Sequence, residues 1–254
     1  MNEPWNIKSD DDRKADTLPT FIIFCEDEVS EPIYFKFFET DKIKVNPIKK
    51  QDSKITNVLK AICYCEDNGL MQKINGLLCL GDENTQVWCV YDRDIEDSDE
   101  KIRIGNVSFD EAIETARDKG FKVAWSNDAF ELWILLHFED VDVSNPIYKN
   151  RISYYNRLTE IFKNLPNPNQ DLLDALKHKT FSYKQDLKHE NNFRNIVRKE
   201  IVNRTNLAVE RSKKLEHYFE QLHFSNHEKS PCTLIHHLTD ELIRVGGKDI
   251  CLEL

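Results

Sequence analysis

The sequence lacks the features that mark membrane-spanning, secreted or nucleotide-binding proteins. No apolar run approaches the roughly 20 residues that cross a bilayer. The first 16 residues lack the basic and apolar segments of a signal peptide. Only 7 of the 254 residues are glycine, and none belongs to a Walker A sequence, so any use of ATP would depend on a partner. We therefore expect a cytoplasmic protein without a membrane span.

The seven cysteines do not follow a zinc-binding pattern. Cys63 and Cys65 are separated by one residue rather than two, and no second pair has a zinc-ligand spacing. Cys25, Cys79 and Cys89 lie in or beside apolar runs, where free cysteine behaves as a small hydrophobic residue. Unpaired cysteines suit a reducing compartment. Nucleophile signatures built on serine or cysteine are also absent.

The net charge of −10 is unevenly distributed along the chain. Residues 177–214 carry a local charge of +7, which leaves −17 for the remainder. This asymmetry is typical of a nucleic-acid surface beside an acidic metal site, and its alternative is an ordinary solvated helical face. The candidate nucleic-acid-binding residues are Lys177, Lys179, Lys184, Lys188, Arg194 and Arg198.

Strand and helix patterns alternate over residues 19–147. Apolar runs predict strands at 18–25, 43–48, 86–91 and 121–125. Helices are predicted to follow them, the first opening at Ser30 as a capping residue and the others near 55–62, 109–119 and 129–138. This alternation predicts an α/β fold with a mostly parallel sheet and helices on both faces.

Helical patterns dominate after residue 147. Helices are predicted at 151–165, 170–178, 188–202, 205–223 and 232–244. His236 and His237 fall in the last of these and are interpreted as ordinary residues of an amphipathic helix. We thus expect a disordered tail at 1–18, an α/β domain at 19–147 and a helical region at 148–254.

Acidic residues follow the ends of three predicted strands. Asp92 and Asp94 come at the end of strand 86–91, and in extended chain they project to the same side. Glu26 follows the first strand, and Glu131 lies near the start of the helix after the fourth. Ligands of open α/β sheets bind beyond the carboxyl ends of the strands.

These carboxylates suggest a metal site. Hard divalent cations prefer several oxygen ligands, so Glu26, Asp92 and Asp94, helped by Glu31 and Glu131, are candidate ligands for one or two Mg²⁺ or Mn²⁺ ions. Two such ions can promote phosphodiester cleavage. The alternative is a solvated acidic turn, since acidic residues continue at 96–100. Arg93 should point away from its two acidic neighbours by alternation.

Three ordered segments resemble the RloB-like family, a branch of the Toprim-domain proteins. They are FCEDEVSEPIYF (24–35), VWCVYDRD (87–94) and AWSNDAFELWILLHFE (124–139), with weaker matches further along the chain. The resemblance implies a Toprim-like fold in which Glu26, Asp92 and Asp94 are catalytic metal ligands. In related OLD-type nucleases, two more glutamates join the site, and Glu31 and Glu131 occupy the matching places.

The resemblance also points to a candidate catalytic lysine, and the sequence differs from the family pattern at two positions. Lys184 matches a recurring lysine, which implies a catalytic role against the scissile phosphate; the alternative is an ordinary surface lysine. Asp27 stands where the family usually has glycine, and Asp128 replaces the proline of SNPCFELW. Neither change removes an expected metal ligand.

Family members are generally regarded as prokaryotic nucleases, often encoded beside an AAA-type or ABC-type ATPase in phage-defence loci. The resemblance therefore implies a metal-dependent nuclease of DNA or RNA that works with a partner ATPase, with homo-oligomerisation left open. The alternative is a non-catalytic sensor or adaptor module of an ATPase complex. A primase or topoisomerase is excluded because the chain has neither a template-binding zinc module nor a separate large domain with a nucleophilic tyrosine.

Overall fold

The computed structural model describes residues 18–94 and 99–248. Nearly all of the predicted tail at 1–18, and Glu96 and Asp97 of the acidic run, lie outside the described residues. Within the described residues, no helix has both the length and the apolar character needed to span a membrane.

A five-stranded sheet forms the centre of the molecule. In chain order the strands are β1 (Thr20–Cys25), β2 (Lys44–Ile48), β3 (Met71–Ile74), β4 (Leu77–Leu80), β5 (Thr85–Asp92), β6 (Lys122–Asn127) and β7 (Cys232–Thr233). The central sheet has the order β2-β1-β5-β6-β7, with its first four strands parallel and β7 antiparallel to β6. Strands β3 and β4 form a separate hairpin.

Ten α-helices surround the sheet in the described part of the chain. They are α1 (Ser30–Lys36), α2 (Lys54–Asp67), α3 (Asp99–Asp118), α4 (Glu131–Leu136), α5 (Arg151–Lys163), α6 (Gln170–Ala175), α7 (Glu190–Asn192), α8 (Arg198–Val202), α9 (Thr205–Gln221) and α10 (Ile235–Gly246). The prediction of an α/β fold with a mostly parallel sheet and a helical C-terminal region is confirmed.

The strand order places helices on both faces of the sheet. Helix α1 connects β1 outward to β2, whereas α2 and α3 lead back to β5 and then to β6. Because parallel crossovers are right-handed, α1 lies on the face opposite α2 and α3. Helices α2 and α3 pack together, while Tyr34 of α1 packs edge-to-face against Trp133 of α4, with ring centroids 6.1 Å apart.

Several predicted boundaries were wrong. The β3–β4 hairpin was not predicted, although Asn75-Gly76 is a strong hairpin signal and both residues have positive φ (53° and 85°). Helix α3 begins at Asp99 rather than near 109, so its first turn contains acidic residues that the helix dipole stabilises. Residues 232–233 form β7, and the last helix begins only at Ile235.

Asp27, rather than Ser30, caps the start of α1. Its Oδ1 accepts hydrogen bonds from the backbone N–H groups of Glu28 (2.6 Å) and Val29 (3.2 Å), and its Oδ2 accepts one from Ser30 (3.1 Å). The predicted serine cap was therefore wrong, because Ser30 is already the first helical residue. These hydrogen bonds fix the loop between β1 and α1.

The helical C-terminal region packs on the same core as the sheet. Buried side chains form one continuous cluster that extends from Phe21 in β1 to Leu242 in α10. Helix α4 contacts both α5 and α9, and α10 contacts β6. The predicted domain boundaries stay predictions, but the two parts of the chain share their buried surface.

Candidate functional site

A cavity of about 220 Å³ lies at the carboxyl ends of β1 and β5. The strand order reverses between these two strands, and this is the position where open α/β sheets bind ligands. The cavity is lined by Glu26, Asp27, Glu31, Asp92, Phe130, Glu131, Arg151 and Lys188. Four of the five predicted metal ligands therefore line one cavity, and the fifth, Asp94, is connected to it through Arg151.

Glu26 and Asp92 are brought together by the pairing of β1 with β5. Glu26 follows β1 directly, and its Oε2 accepts a hydrogen bond of 2.9 Å from the backbone N–H of Asp92. Burial, followed by the charge of Asp94, raises the pKa of Glu26 to about 7. Burial and the charge of Glu26 raise the pKa of Asp92 well above its usual range. The negative charge of this pair is thus incompletely compensated, which favours a bound cation.

Arg151 contributes the first positive charge of the site. Its Nη2 lies 3.1 Å from Oδ2 of Asp92 and also donates a hydrogen bond to Oδ1 of Asp94. The backbone N–H of Arg151 donates to Oδ2 of Asp128 (2.9 Å), which fixes the start of α5 beside the end of β6. Burial opposes the charge of Arg151, but the two carboxylates raise its pKa above the usual value.

Lys188 contributes the second positive charge. Its Nζ lies 2.7 Å from Oε1 of Glu131, the first residue of α4, whose side chain is only 2% exposed. The same Nζ is 5.5 Å from the centroid of the Tyr155 ring. Burial opposes its charge, but Glu131 and Asp27 raise the pKa of Lys188 above its usual value. Glu131 thus has the ionic partner that its position in an apolar helix requires.

Glu31 is a buried carboxylate on α1. Its side chain accepts a hydrogen bond of 3.2 Å from the backbone N–H of Asp27. Burial and the neighbouring charge of Asp27 raise the pKa of Glu31 well above its usual range. The pKa of Asp27 is lowered despite its burial, by Lys188 and by the backbone groups that it caps. Glu31 is therefore the carboxylate with the greater need of a cation.

Lys184 and Arg93 lie away from the cavity lining. Lys184 is exposed, and its Nζ is 5.6 Å from the centroid of the same Tyr155 ring that Lys188 contacts. Arg93 packs toward α3 and donates a hydrogen bond to Oδ1 of Asn106, as strand alternation predicts. The cation inside the cavity near Lys184 is Lys188, which the sequence had placed only among the nucleic-acid-binding residues.

The other predicted nucleic-acid-binding residues lie outside the cavity. Lys177 pairs with Asp174 (2.5 Å), and Arg194 pairs with Glu190 (2.9 Å). Lys179 is exposed, and the guanidinium of Arg198 lies 5.9 Å from the ring centroid of Phe37. Arg194 also lines a second cavity of about 230 Å³ with Lys36 and Lys49. The basic segment thus contributes to two separate surfaces.

Arg151 was not predicted as a functional residue. It follows Asp94 by 57 residues and opens a helix that Asn150 caps through a hydrogen bond from Ser153. Nothing in this local pattern distinguishes a guanidinium that reaches a distant pair of carboxylates from an ordinary surface arginine. The sequence offered only the general expectation that buried carboxylates have positively charged partners, which does not identify Arg151.

The donor set fits a hard divalent cation in its chemistry. All predicted ligands are carboxylates, the ligand type that Mg²⁺ and Mn²⁺ prefer. No three of them offer ligand atoms within 4.8 Å of one another, and in the described residues the group that does so is Glu216, His236 and His237. Arg151 already bonds both Asp92 and Asp94. Shared ligation of one ion therefore requires the carboxylate side chains to move closer together, and Arg151 would compete with the ion for Asp92 and Asp94.

Comparison with known proteins identifies the family. The model of the family described as RloB-like protein matches residues 21–242. No curated protein and no solved structure matches the chain. The family match covers most of the chain and includes every carboxylate of the cavity. The chain therefore belongs to the RloB-like family.

Proposed function

We propose that this protein is a metal-dependent nuclease that hydrolyses phosphodiester bonds of DNA or RNA with Mg²⁺ or Mn²⁺. The observation that carries the proposal is the cavity at the β1–β5 switch point. Five carboxylates from different parts of the fold, four of them predicted metal ligands, line it together with an arginine and a lysine. This combination of acidic metal ligands and basic phosphate ligands is suited to phosphoryl chemistry.

The carboxylates provide the reason for metal dependence. Glu26, Glu31 and Asp92 all have raised pKa values, so their ionised forms are unfavourable while the cavity lacks a further cation. A divalent ion favours the ionised forms and offsets their repulsion of a phosphate. When bound, Mg²⁺ or Mn²⁺ would supply a Lewis acid that activates water and stabilises the leaving oxygen.

Each residue of the cavity then has a role. Glu26, Asp92 and Asp94 would hold the ion, and Glu31 and Glu131 would complete the set of oxygen ligands. Lys188 and Arg151 would bind the phosphate of the substrate. Because Arg151 bonds Asp92 and Asp94, ion binding would release its guanidinium beside the site of reaction.

Nucleic acid would extend beyond the cavity across the basic segment. Lys184 and Lys188 both contact the Tyr155 ring, and Lys184 is exposed, so that it could contact a neighbouring phosphate. The remaining candidates for phosphate contacts are Lys177, Lys179, Arg194 and Arg198. Such contacts position the backbone and carry no base specificity of their own.

We extend the proposal to the biological setting that family membership suggests. The protein would be a cytoplasmic effector of a prokaryotic anti-phage defence system and would work with an AAA-type or ABC-type ATPase encoded nearby. The chain has no Walker A sequence, so ATP would act through that partner. Self-association is a further property to be measured for the isolated protein and for the complex.

The test is cleavage of plasmid DNA and of RNA with Mg²⁺, Mn²⁺ or EDTA, with and without the neighbouring ATPase. The wild type should cleave only with metal, and Asp92→Asn and Glu26→Gln should each lose at least about 100-fold in rate. Asp67→Asn, at the exposed end of α2, is the matched control and should keep full activity. Cleavage that persists in Asp92→Asn and Glu26→Gln would rule out this mechanism.

One observation favours a non-catalytic sensor or adaptor as the second candidate. Arg151 forms ion pairs with both Asp92 and Asp94, and so provides part of the positive charge that a metal ion would otherwise supply. If the protein is an adaptor, the wild type and Asp92→Asn should bind the ATPase equally well. Neither form should then cleave nucleic acid under any condition. A nuclease would show a difference in cleavage between the two forms.

A further inference from the structure

A second cluster of ligand atoms lies where α9 meets α10, outside the carboxylate cavity. Nε2 of His236 is 2.9 Å from Oε2 of Glu216, and Nε2 of His237 is 2.8 Å from Oε1 of the same carboxylate. One ligand atom from each residue lies within 4.8 Å of the others. The interpretation of both histidines as ordinary helix residues does not account for this convergence.

The hydrogen bonds around Ser212 determine which nitrogen of His236 carries a proton. The hydroxyl of Ser212 donates to the carbonyl oxygen of Thr233 at 2.7 Å. A hydroxyl has one hydrogen, so its contact with Nδ1 of His236, at 2.8 Å, must be one in which the ring donates. In the neutral ring, Nε2 then presents a lone pair toward the carboxylate of Glu216.

Two acceptor atoms 2.9 Å apart require a bridge between them, either a proton or a metal ion. A second proton on His236 would provide it, but the resulting imidazolium would be on a ring that is 1% exposed. A metal ion would satisfy both Nε2 atoms and the carboxylate together. We propose that Glu216, His236 and His237 form a second metal site, which binds a divalent transition metal of the zinc class and cross-links α9 to α10.

The surroundings of the cluster fit such an ion. Two imidazoles and one carboxylate are a known donor set for Zn²⁺, with a further position left for water. The Ser212 hydroxyl accepts a hydrogen bond from Nδ1 of His236, and polar groups commonly bind the second nitrogen of zinc-binding histidines in this way. His237 is 48% exposed, which leaves the cluster accessible from solvent. This proposal is independent of the nuclease proposal, because it uses different residues and a different class of metal.

The test uses the full-length protein, stripped with EDTA and then kept in excess Mg²⁺ so that hard-cation sites are filled. Zn²⁺ is titrated by calorimetry, and Co²⁺ is titrated by visible absorption, whose intensity reports the coordination geometry of the bound ion. The wild type and Asp92→Asn should each bind one equivalent. His237→Ala and Glu216→Gln should each lose at least about tenfold in affinity, and Ser212→Ala should lose about tenfold through misorientation of His236.

His217→Ala is the matched control, because His217 is exposed, adjacent to Glu216 and hydrogen-bonded only to Gln221 among the contacts described. It should bind like the wild type. Circular dichroism of every variant checks folding, and Zn²⁺ should raise the melting temperature of the wild type but not of His237→Ala. The proposal would be overturned if the wild type did not bind Zn²⁺ at concentrations up to about 100 μM, or if His237→Ala bound Zn²⁺ with the same affinity as the wild type.

Discussion

The guanidinium of Arg151 lies 3.1 Å from the carboxylate of Asp92, and so connects the first residue of α5 to the last residue of β5. We expect Arg151→Gln to bind Mg²⁺ or Mn²⁺ about tenfold more tightly than the wild type at pH 7, because the substitution removes a positive charge that competes with the ion for the carboxylates. The same variant should cleave nucleic acid more slowly, because a phosphate ligand is lost. Calorimetry and single-turnover cleavage measure the two effects.

Arg157→Gln provides the control for this experiment. Arg157 lies on the same helix and bonds Glu139, away from the cavity, with an Nη2–Oε2 distance of 2.5 Å. Its replacement should leave metal affinity unchanged. Equal metal affinities in Arg151→Gln and the wild type would contradict competition between the guanidinium and the ion.

In EDTA, stability should fall as the pH rises from 4.5 to 7. The ordinary pKa of Glu26 is 4.5 and its pKa in the fold is about 7, so over this range the unfolded chain releases a proton that the folded protein retains. The free energy of unfolding should then decrease by up to about 3 kcal/mol. Urea denaturation of the wild type and Glu26→Gln measures this, and the variant should lack this part of the slope.

Metal binding should show the opposite dependence on pH. Glu26 must be ionised to bind a cation, so the apparent affinity for Mg²⁺ should rise as the pH approaches and passes 7. Glu66→Gln, on the exposed surface of α2, should follow the wild type in both experiments. Parallel stability curves for Glu26→Gln and the wild type would show that this carboxyl is not the group responsible.

Lys188→Met should lower the free energy of unfolding by about 3 kcal/mol. The variant leaves Glu131, whose side chain is 2% exposed, without its ionic partner. Lys184→Met should change it by less than about 0.5 kcal/mol, since Lys184 is exposed although it contacts the same tyrosine ring. Urea denaturation compares the two.

A double variant separates the ion pair from general packing. Lys188→Met combined with Glu131→Gln should recover part of the lost stability, because the buried charge is then removed. If the two single changes were simply additive, the lysine would act through packing of its alkyl chain alone.

Nucleic-acid affinity should depend on the exposed lysines. Lys179→Glu and Lys184→Glu should each weaken binding to DNA or RNA across all sequences, and each should reduce the slope of log affinity against log salt by about 1. Lys60→Glu, on α2 at the other face of the sheet, is the control and should keep the wild-type slope. Unchanged slopes in both lysine variants would place the binding surface elsewhere.

The sequence pattern was sufficient for the parts of the site that depend on strand order. β1 and β5 were predicted because continuous apolar runs mark strands buried on both faces, and Glu26 and Asp92 follow from where those runs end. The positions of Arg151 and Lys188 depend on how the C-terminal helices pack. Such packing involves side-chain contacts over more than 50 residues of chain, which no local pattern encodes.

Two features of the fold were missed although the residues that produce them are visible in the sequence. The Asn75-Gly76 dipeptide was visible in the sequence, but its flanking strands of four residues each are too short to show clear alternation. The Asp27 cap was hidden because Ser30 offered an equally good capping residue three positions later.

The shared core has a consequence for any attempt to dissect this protein. A fragment that ended at residue 147 would contain all five candidate carboxylate ligands but neither Arg151 nor Lys188. It would also expose the apolar surface of α4, which α5 and α9 cover in the full chain. The smallest unit that can be expressed with an intact cavity therefore includes the C-terminal helices, and truncation is a poor route to a minimal active form.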